Sequence, residues 1–205
     1  SINKRKREKW TFISSEIGYL SLEEIDKNEI KEAFNKFKKT KGVIIDLRNY
    51  PKKINNSDIS KYILSEKKNF IKVLMPIKSF PSFSEYDAEA PLDFISDPFK
   101  TGHKNNDFYK GKIILLVDRN TISKAEFIGM SIQQSENCLT IGEQTAGTPM
   151  NVVTYTLSDN STINFTGIQT FYPNGDCVHR NGLHIDFKIE EKDKKNIEKR
   201  KELLN

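Results

Sequence analysis

The 205-residue chain is poor in the residues that define several structural classes: two Cys, seven Pro, ten Gly and one Trp. Two cysteines cannot build a disulfide scaffold, and this glycine and proline content without a short repeat excludes a collagen or a coiled-coil array. No apolar stretch approaches the ~20 residues that a membrane span requires. The opening SINKRKREKW is basic with no apolar stretch behind it, so no signal peptide is expected in these residues. What is present suits a packed core: thirteen Phe and seven Tyr accompany several β-branched runs, although 30% of the residues are charged. A chain of this length folding as one domain buries roughly 70% of the surface its extended form exposes.

Charge of one sign is also scarce in the middle of the chain. The net charge of +5 comes mainly from two basic ends, Lys4 to Lys9 and Lys192 to Lys201. Such terminal runs read as solvated faces, and with no zinc-finger spacing or aromatic-basic signature a nucleic-acid partner is not expected. Cys138 and Cys177 stand far apart and read as free thiols, which leaves the redox compartment open. His103, His179 and His184 are scattered, and only the last two approach a ligand spacing, so neither a metal nor a cofactor is expected.

The hydrophobic pattern alternates between strand and helix. Residues 10–22 (WTFISSEIGYLSL) read as a bent strand pair, and 23–39 as an amphipathic helix carrying Ile30, Ala33, Phe34 and Phe37 on one face. GVIIDL (42–47) is a β-branched run of the kind found in strands buried on both faces, stopped at Pro51. A short helix through Leu64 and the strand NFIKVLMPI follow. Residues 80–107 show no period and read as a long loop. GKIILLVD is a second buried parallel-type strand, followed by a helix over about 123–134. CLTIG, VVTYTL, STINF and GIQTFY read as short strands, and the tail from Lys192 as a charged helix ending at Leu203 and Leu204. Strands alternating with helices indicate an α/β domain with a mostly parallel core sheet.

Chemistry concentrates in ILLVDRNTISKAEFIGM. A buried strand ends in polar residues, turns sharply and opens a helix at Ser123, which is where sites of open parallel sheets lie. The helix N-terminus presents backbone N–H groups that stabilise a developing oxyanion. Ser123-Lys124-Ala125-Glu126 is equally a capping box, and the residues alone leave cap and nucleophile both open. Asp46 and Arg48 at the end of GVIIDLR read as an ion pair, and IGEQTAGTPMN as a strand leaving through a tight turn.

Taken in order, IGYLSL, GVIIDLRNYP, GKIILLVDRNTISKAEF, IGEQTAGTP, FTGIQTFYPNG and NGLHIDFKI resemble the C-terminal processing (tail-specific) serine peptidase family, in its tricorn-core-like branch. The resemblance runs through nearly the whole chain. It implies a single α/β domain over 1–205, a spiral of ββα units related to the ClpP and crotonase folds, lacking an N-terminal accessory segment. It implies Ser123 as the acyl-forming nucleophile and the N–H of Lys124 as an oxyanion donor. The family's Gly-Gly pair, source of its second donor, reads Lys52-Lys53 here. A Lys52 N–H keeps the donor without the glycine conformations. The residue after Thr-x-Gly, a base Lys in the Ser/Lys members, is Thr148, which cannot serve as that base. The tricorn-like branch takes its His from upstream, so the base is expected outside this segment, with His179 as a local substitute.

The resemblance further implies an extended peptide or unfolded protein as substrate and an extracytoplasmic setting, periplasmic or secreted, and leaves the oligomeric state open. The alternative is a non-catalytic peptide-binding or structural module that keeps the fold, motivated by Lys52-Lys53 and Thr148. An acyl-coenzyme A enzyme of the spiral fold ranks below both, because no pair of oxyanion glycines with a matched acid/base Glu is evident.

Overall fold

The computed structural model describes residues 8–76, 93–95, 98–150, 152–190 and 193. Six strands form the main sheet in the order β1-β2-β3-β7-β8-β12. β1 (Trp10–Ser14) and β2 (Ile17–Ser21) make an antiparallel hairpin at one edge, and every later pairing in this sheet is parallel. The chain is therefore a mixed α/β domain built on a mostly parallel sheet.

The two apolar runs form the middle of that sheet. β3 (Gly42–Asp46) and β7 (Lys112–Val117) pair in register, Ile45 opposite Leu115. Val43, Ile45, Ile113, Leu115 and Val117 are buried, while Ile44, Ile114 and Leu116 on the other face are half-buried. The expectation of burial on both faces thus holds fully for one face only: the three helices leave the second face partly uncovered.

α1 (Lys27–Phe37) begins at Asp26, whose carboxylate accepts from the N–H groups of Asn28 and Glu29, while Glu29 returns a bond to the Asp26 N–H. It buries the predicted face of Ile30, Ala33, Phe34 and Phe37. Phe37 meets Trp10 and Phe12 edge-on at 5.8 and 5.2 Å, and Gly18 leaves the room, since a Cβ there would stand 2.7 Å from the Phe37 ring. Truncating Phe37 to Ala costs about 3–5 kcal/mol. α2 (Asn56–Ile63) follows the loop after β3 and packs between α1 and α3.

β4 (Lys68–Pro76) carries a second, smaller antiparallel sheet. The stretch expected to be one long loop contains β5 (Asp93–Ile95) and β6 (Phe99–Thr101), both paired to β4. Three-residue strands have no readable period of their own, and it is the long edge of β4 that orders them. Residues 77–92 of that stretch, and the charged helix expected from Lys192, lie outside the described residues apart from Asp193.

α3 (Lys124–Ile132) links β7 to β8 (Cys138–Gly142), and nearly all of it is buried. β9 (Val152–Thr156) and β10 (Thr162–Thr166) form a separate hairpin, whereas β11 (Gln169–Phe171) crosses to β4. β12 (Phe187–Lys188), within the segment NGLHIDFKI, closes the main sheet on β8.

Candidate active site

Ser123 sits where β7 delivers the chain to α3, at φ 57° and ψ −120°. A serine at positive φ is strained, and such outliers persist only where surrounding structure over-determines them. The turn before it is tied down from both sides. Thr121, fully buried, donates its hydroxyl to the Leu47 carbonyl at 3.0 Å and accepts the Asp118 N–H at 3.1 Å. Asp118 in turn accepts from the Asn120 N–H at 2.8 Å. The carboxyl ends of β3 and β7 are thus locked together beneath Ser123.

The serine is half-buried, and its hydroxyl makes no cap hydrogen bond. The returning arm of the box is formed: the Ser123 N–H donates to Glu126 Oε2 at 3.3 Å. Lys124 opens the helix, and its N–H donates to no acceptor among the described residues. An unstrapped hydroxyl beside a free N–H at a positive helix end is the local requirement for nucleophile and oxyanion donor.

Glu126 reaches beyond its own helix. Its carboxylate is fully buried and accepts from the Thr145 hydroxyl at 2.6 Å, the Gly147 N–H at 2.6 Å and the Thr148 N–H at 2.8 Å. The Thr145-Ala146-Gly147-Thr148 turn is therefore held directly against the first turn of α3. The Ala146 N–H adds a bond to the Thr121 carbonyl at 3.1 Å, and Thr145 Oγ1 accepts the Leu183 N–H at 2.8 Å. Gly147 has φ +72°, and a Cβ on it would stand 2.7 Å from the Arg180 backbone.

His179 lies between β11 and β12. Its neighbour Arg180, at φ 66°, donates its N–H to the Gly147 carbonyl at 2.8 Å, which brings the His179 segment onto the Glu126-held turn. Two buried polar atoms here, His179 Nδ1 and Thr148 Oγ1, have no hydrogen-bond partner among the described residues. No hydrogen bond connects His179 to Ser123. Lys52, in the loop after β3, donates its N–H to the Glu23 carbonyl at 3.0 Å, and its ammonium pairs with Glu24 at 2.5 Å and Glu23 at 3.3 Å. To serve an oxyanion, that N–H has to leave Glu23.

At the end of β3, Asp46 accepts from Tyr19 Oη at 2.8 Å and from Arg48 Nε and Nη2 at 2.9 and 2.5 Å. Burial works to raise the Asp46 pKa, but the bonds from Arg48 and Tyr19 outweigh it and hold the carboxyl below its ordinary range. The ion pair read from the sequence is present and fixes the strand end.

Sequence reasoning recognised the box from Ser123 to Glu126 but missed the reach of Glu126 to Thr145, Gly147 and Thr148. Only a periodic signal linking positions some twenty residues apart could have disclosed it, and a tight turn carries none.

The sequence profile of peptidase family S41 matches residues 16–189. No curated protein sequence matches the chain. Among solved structures, a candidate peptidase from Parabacteroides merdae ATCC 43184 superposes with TM-score 0.71 at 16% identity, over 95% of this chain and 63% of that one. Mature CPAF complexed with lactacystin gives 0.64 at 15% identity, over 92% and 51%. The photosystem II D1 C-terminal processing protease gives 0.57 at 19% identity, over 85% and 42%. At such identities the likeness establishes a shared fold, and the chain spans less than two thirds of each of these proteins.

Proposed function

This chain belongs to peptidase family S41, and from that premise we propose that it is a serine endopeptidase acting on extended or unfolded polypeptides through an acyl-enzyme on Ser123. The observation that carries the reading is Ser123 itself: positive φ, a hydroxyl free of the helix cap and, next to it, the unengaged N–H of Lys124.

In the proposed reaction Ser123 Oγ attacks the scissile carbonyl carbon, and its proton passes to a base. The carbonyl electrons move onto oxygen, held by the Lys124 N–H at the positive end of α3. Collapse breaks the C–N bond, the amine leaves with the proton, and water then hydrolyses the ester to regenerate the serine. The base is an imidazole supplied from outside residues 1–205, with His179 the local substitute. The open Nδ1 of His179 beside the Gly147 turn supports keeping it. Glu126 positions rather than reacts: its Oε2 accepts both the Ser123 and the Thr148 N–H. The extracytoplasmic setting belongs to this proposal and rests on the family resemblance. Among the described residues no helix is long and apolar enough to cross a membrane.

A second reading, a peptide-binding module without turnover, is favoured by one observation: no base is hydrogen-bonded to Ser123, and the Lys52 N–H is already engaged by Glu23. Degradation of an unfolded, fluorescently quenched protein separates the two. The peptidase reading expects turnover that Ser123→Ala abolishes. Peptide binding unchanged by Ser123→Ala, with no turnover from either form, overturns it.

A further inference from the structure

A cavity of about 480 Å³ opens at the far end of α3 from Ser123. The nine residues of α3 place the two ends about 14 Å apart, at 1.5 Å per residue. The cavity exists because β12 is short. It pairs only with Ile141 and Gly142, so the first half of β8 is left without a strand beside it. Asp186 fills part of the gap, accepting the Thr140 N–H on Oδ2 at 2.7 Å while its own N–H donates to the Thr140 carbonyl at 2.9 Å.

The floor is a fixed polar network. Tyr172 Oη donates to Gln133 Oε1 at 2.5 Å and accepts the His184 N–H at 3.0 Å. Gln133 Nε2 bonds Thr140 Oγ1 and the His184 carbonyl, each at 2.7 Å. Every polar atom in this network has a partner, so the floor is preformed and rigid. Cys138 and Pro173 add apolar surface to the lining.

The charge of the lining is one-sided. The chain carries 33 Lys and Arg, yet none lines this cavity, whereas Asp176 and Asp186 both do. Gln133 and Gln134 bring the C-terminal end of α3 to the wall, and that helix has no basic residue in its last turn to offset its negative end. The hydroxyl and thiol on the floor respond accordingly. Burial, with Asp176 and Asp186 adding to it, raises the Tyr172 pKa, and burial with Asp186 pushes Cys138 up to about 12. An anion is therefore disfavoured. Among the described residues no group of three His, Cys, Asp or Glu could hold a metal ion, which leaves an organic cation.

We propose that this cavity is a binding site for a compact organic cation, a protonated amine or guanidinium on a short apolar stem, with Asp176 and Asp186 facing the charge and Cys138, Pro173 and the Tyr172 ring facing the stem. The chemistry is that of a lysine or arginine side chain or of a free small amine. The site does not depend on Ser123 and stands whether or not the chain is a peptidase.

The test is an NMR titration of the chain with propylguanidinium, following the amides of Thr140, His184 and Asp186, beside butyrate and neutral pentanol. The expected result is saturable shifts with propylguanidinium alone. Asn69→Lys, which puts a cation on the exposed rim, and Asp176→Asn should each weaken binding about threefold or more. Ser123→Ala should leave it unchanged, which separates this site from the proposed peptidase centre. A blocked arginine tripeptide binding more tightly than propylguanidinium assigns the natural source to polypeptide, and equal binding assigns it to a free small molecule. Butyrate or pentanol binding as well as propylguanidinium, or indifference to both rim variants, overturns the proposal.

Discussion

Glu126 Oε1 accepts the Gly147 N–H at 2.6 Å, so the first turn of α3, which begins beside Ser123, also anchors the turn that follows β8. One buried carboxylate thereby fixes two loops that come from different crossovers of the sheet.

Removing that carboxylate should be costly. Glu126→Ala strands the Thr145 hydroxyl and the N–H groups of Gly147 and Thr148 in a site closed to water. A loss of about 3 kcal/mol or more is expected in urea unfolding. Glu126→Gln, which keeps the shape but turns an NH2 toward donors, should lose about 1–3 kcal/mol. Wild-type stability in Glu126→Ala would mean that the carboxylate does not bear the turn.

The glycine of this turn should be irreplaceable where another exposed glycine is not. Gly147→Ala meets both a positive φ and the Arg180 backbone at 2.7 Å, while Gly175, at φ +100°, has nothing within 4 Å of the added carbon. Thermal unfolding should show Gly147→Ala destabilised by about 3 kcal/mol and Gly175→Ala by about 1 kcal/mol. Equal losses would contradict the close approach.

Asp46 should mark the acid limb of stability. Its folded pKa lies below the unfolded value of about 3.9, so its contribution is complete above that value and lost as pH falls through the folded pKa. Asp46→Asn should lower stability near neutrality and flatten its dependence on pH below about 4. Parallel curves for the two proteins would show that the Arg48 and Tyr19 bonds do not hold the carboxylate.

The thiol of Cys138, pushed up to about 12, should react slowly with a disulfide reagent at neutral pH and quickly once urea unfolds the chain. Cys177→Ser leaves Cys138 as the sole thiol for this measurement. Fast modification of the folded variant would place Cys138 in a more open setting than the cavity floor.

Much of the scaffold was readable because its signals are local. The apolar runs at 42–47 and 111–118 became β3 and β7, and the helical spacing of Ile30, Ala33, Phe34 and Phe37 became the buried face of α1. The strand-to-helix turn at Ser123 was legible for the same reason. Three features were not. β6 is three residues long and takes its conformation from β4. The Lys52 N–H was read by its place in a motif, while its engagement with Glu23 depends on how the loop after β3 folds back. Glu126 was read through its neighbour three residues away, but its stronger partners lie about twenty residues on, across the sheet. Local pattern reports capping and periodicity, and the closing of a site across crossovers leaves no mark on it.

The most direct test of the account is covalent labelling of Ser123 by a fluorophosphonate, read by mass spectrometry at a pH where histidine is neutral. The account predicts one modified residue, Ser123, and no labelling of Ser123→Ala. Failure to label the chain, or label on another residue that survives Ser123→Ala, would contradict it.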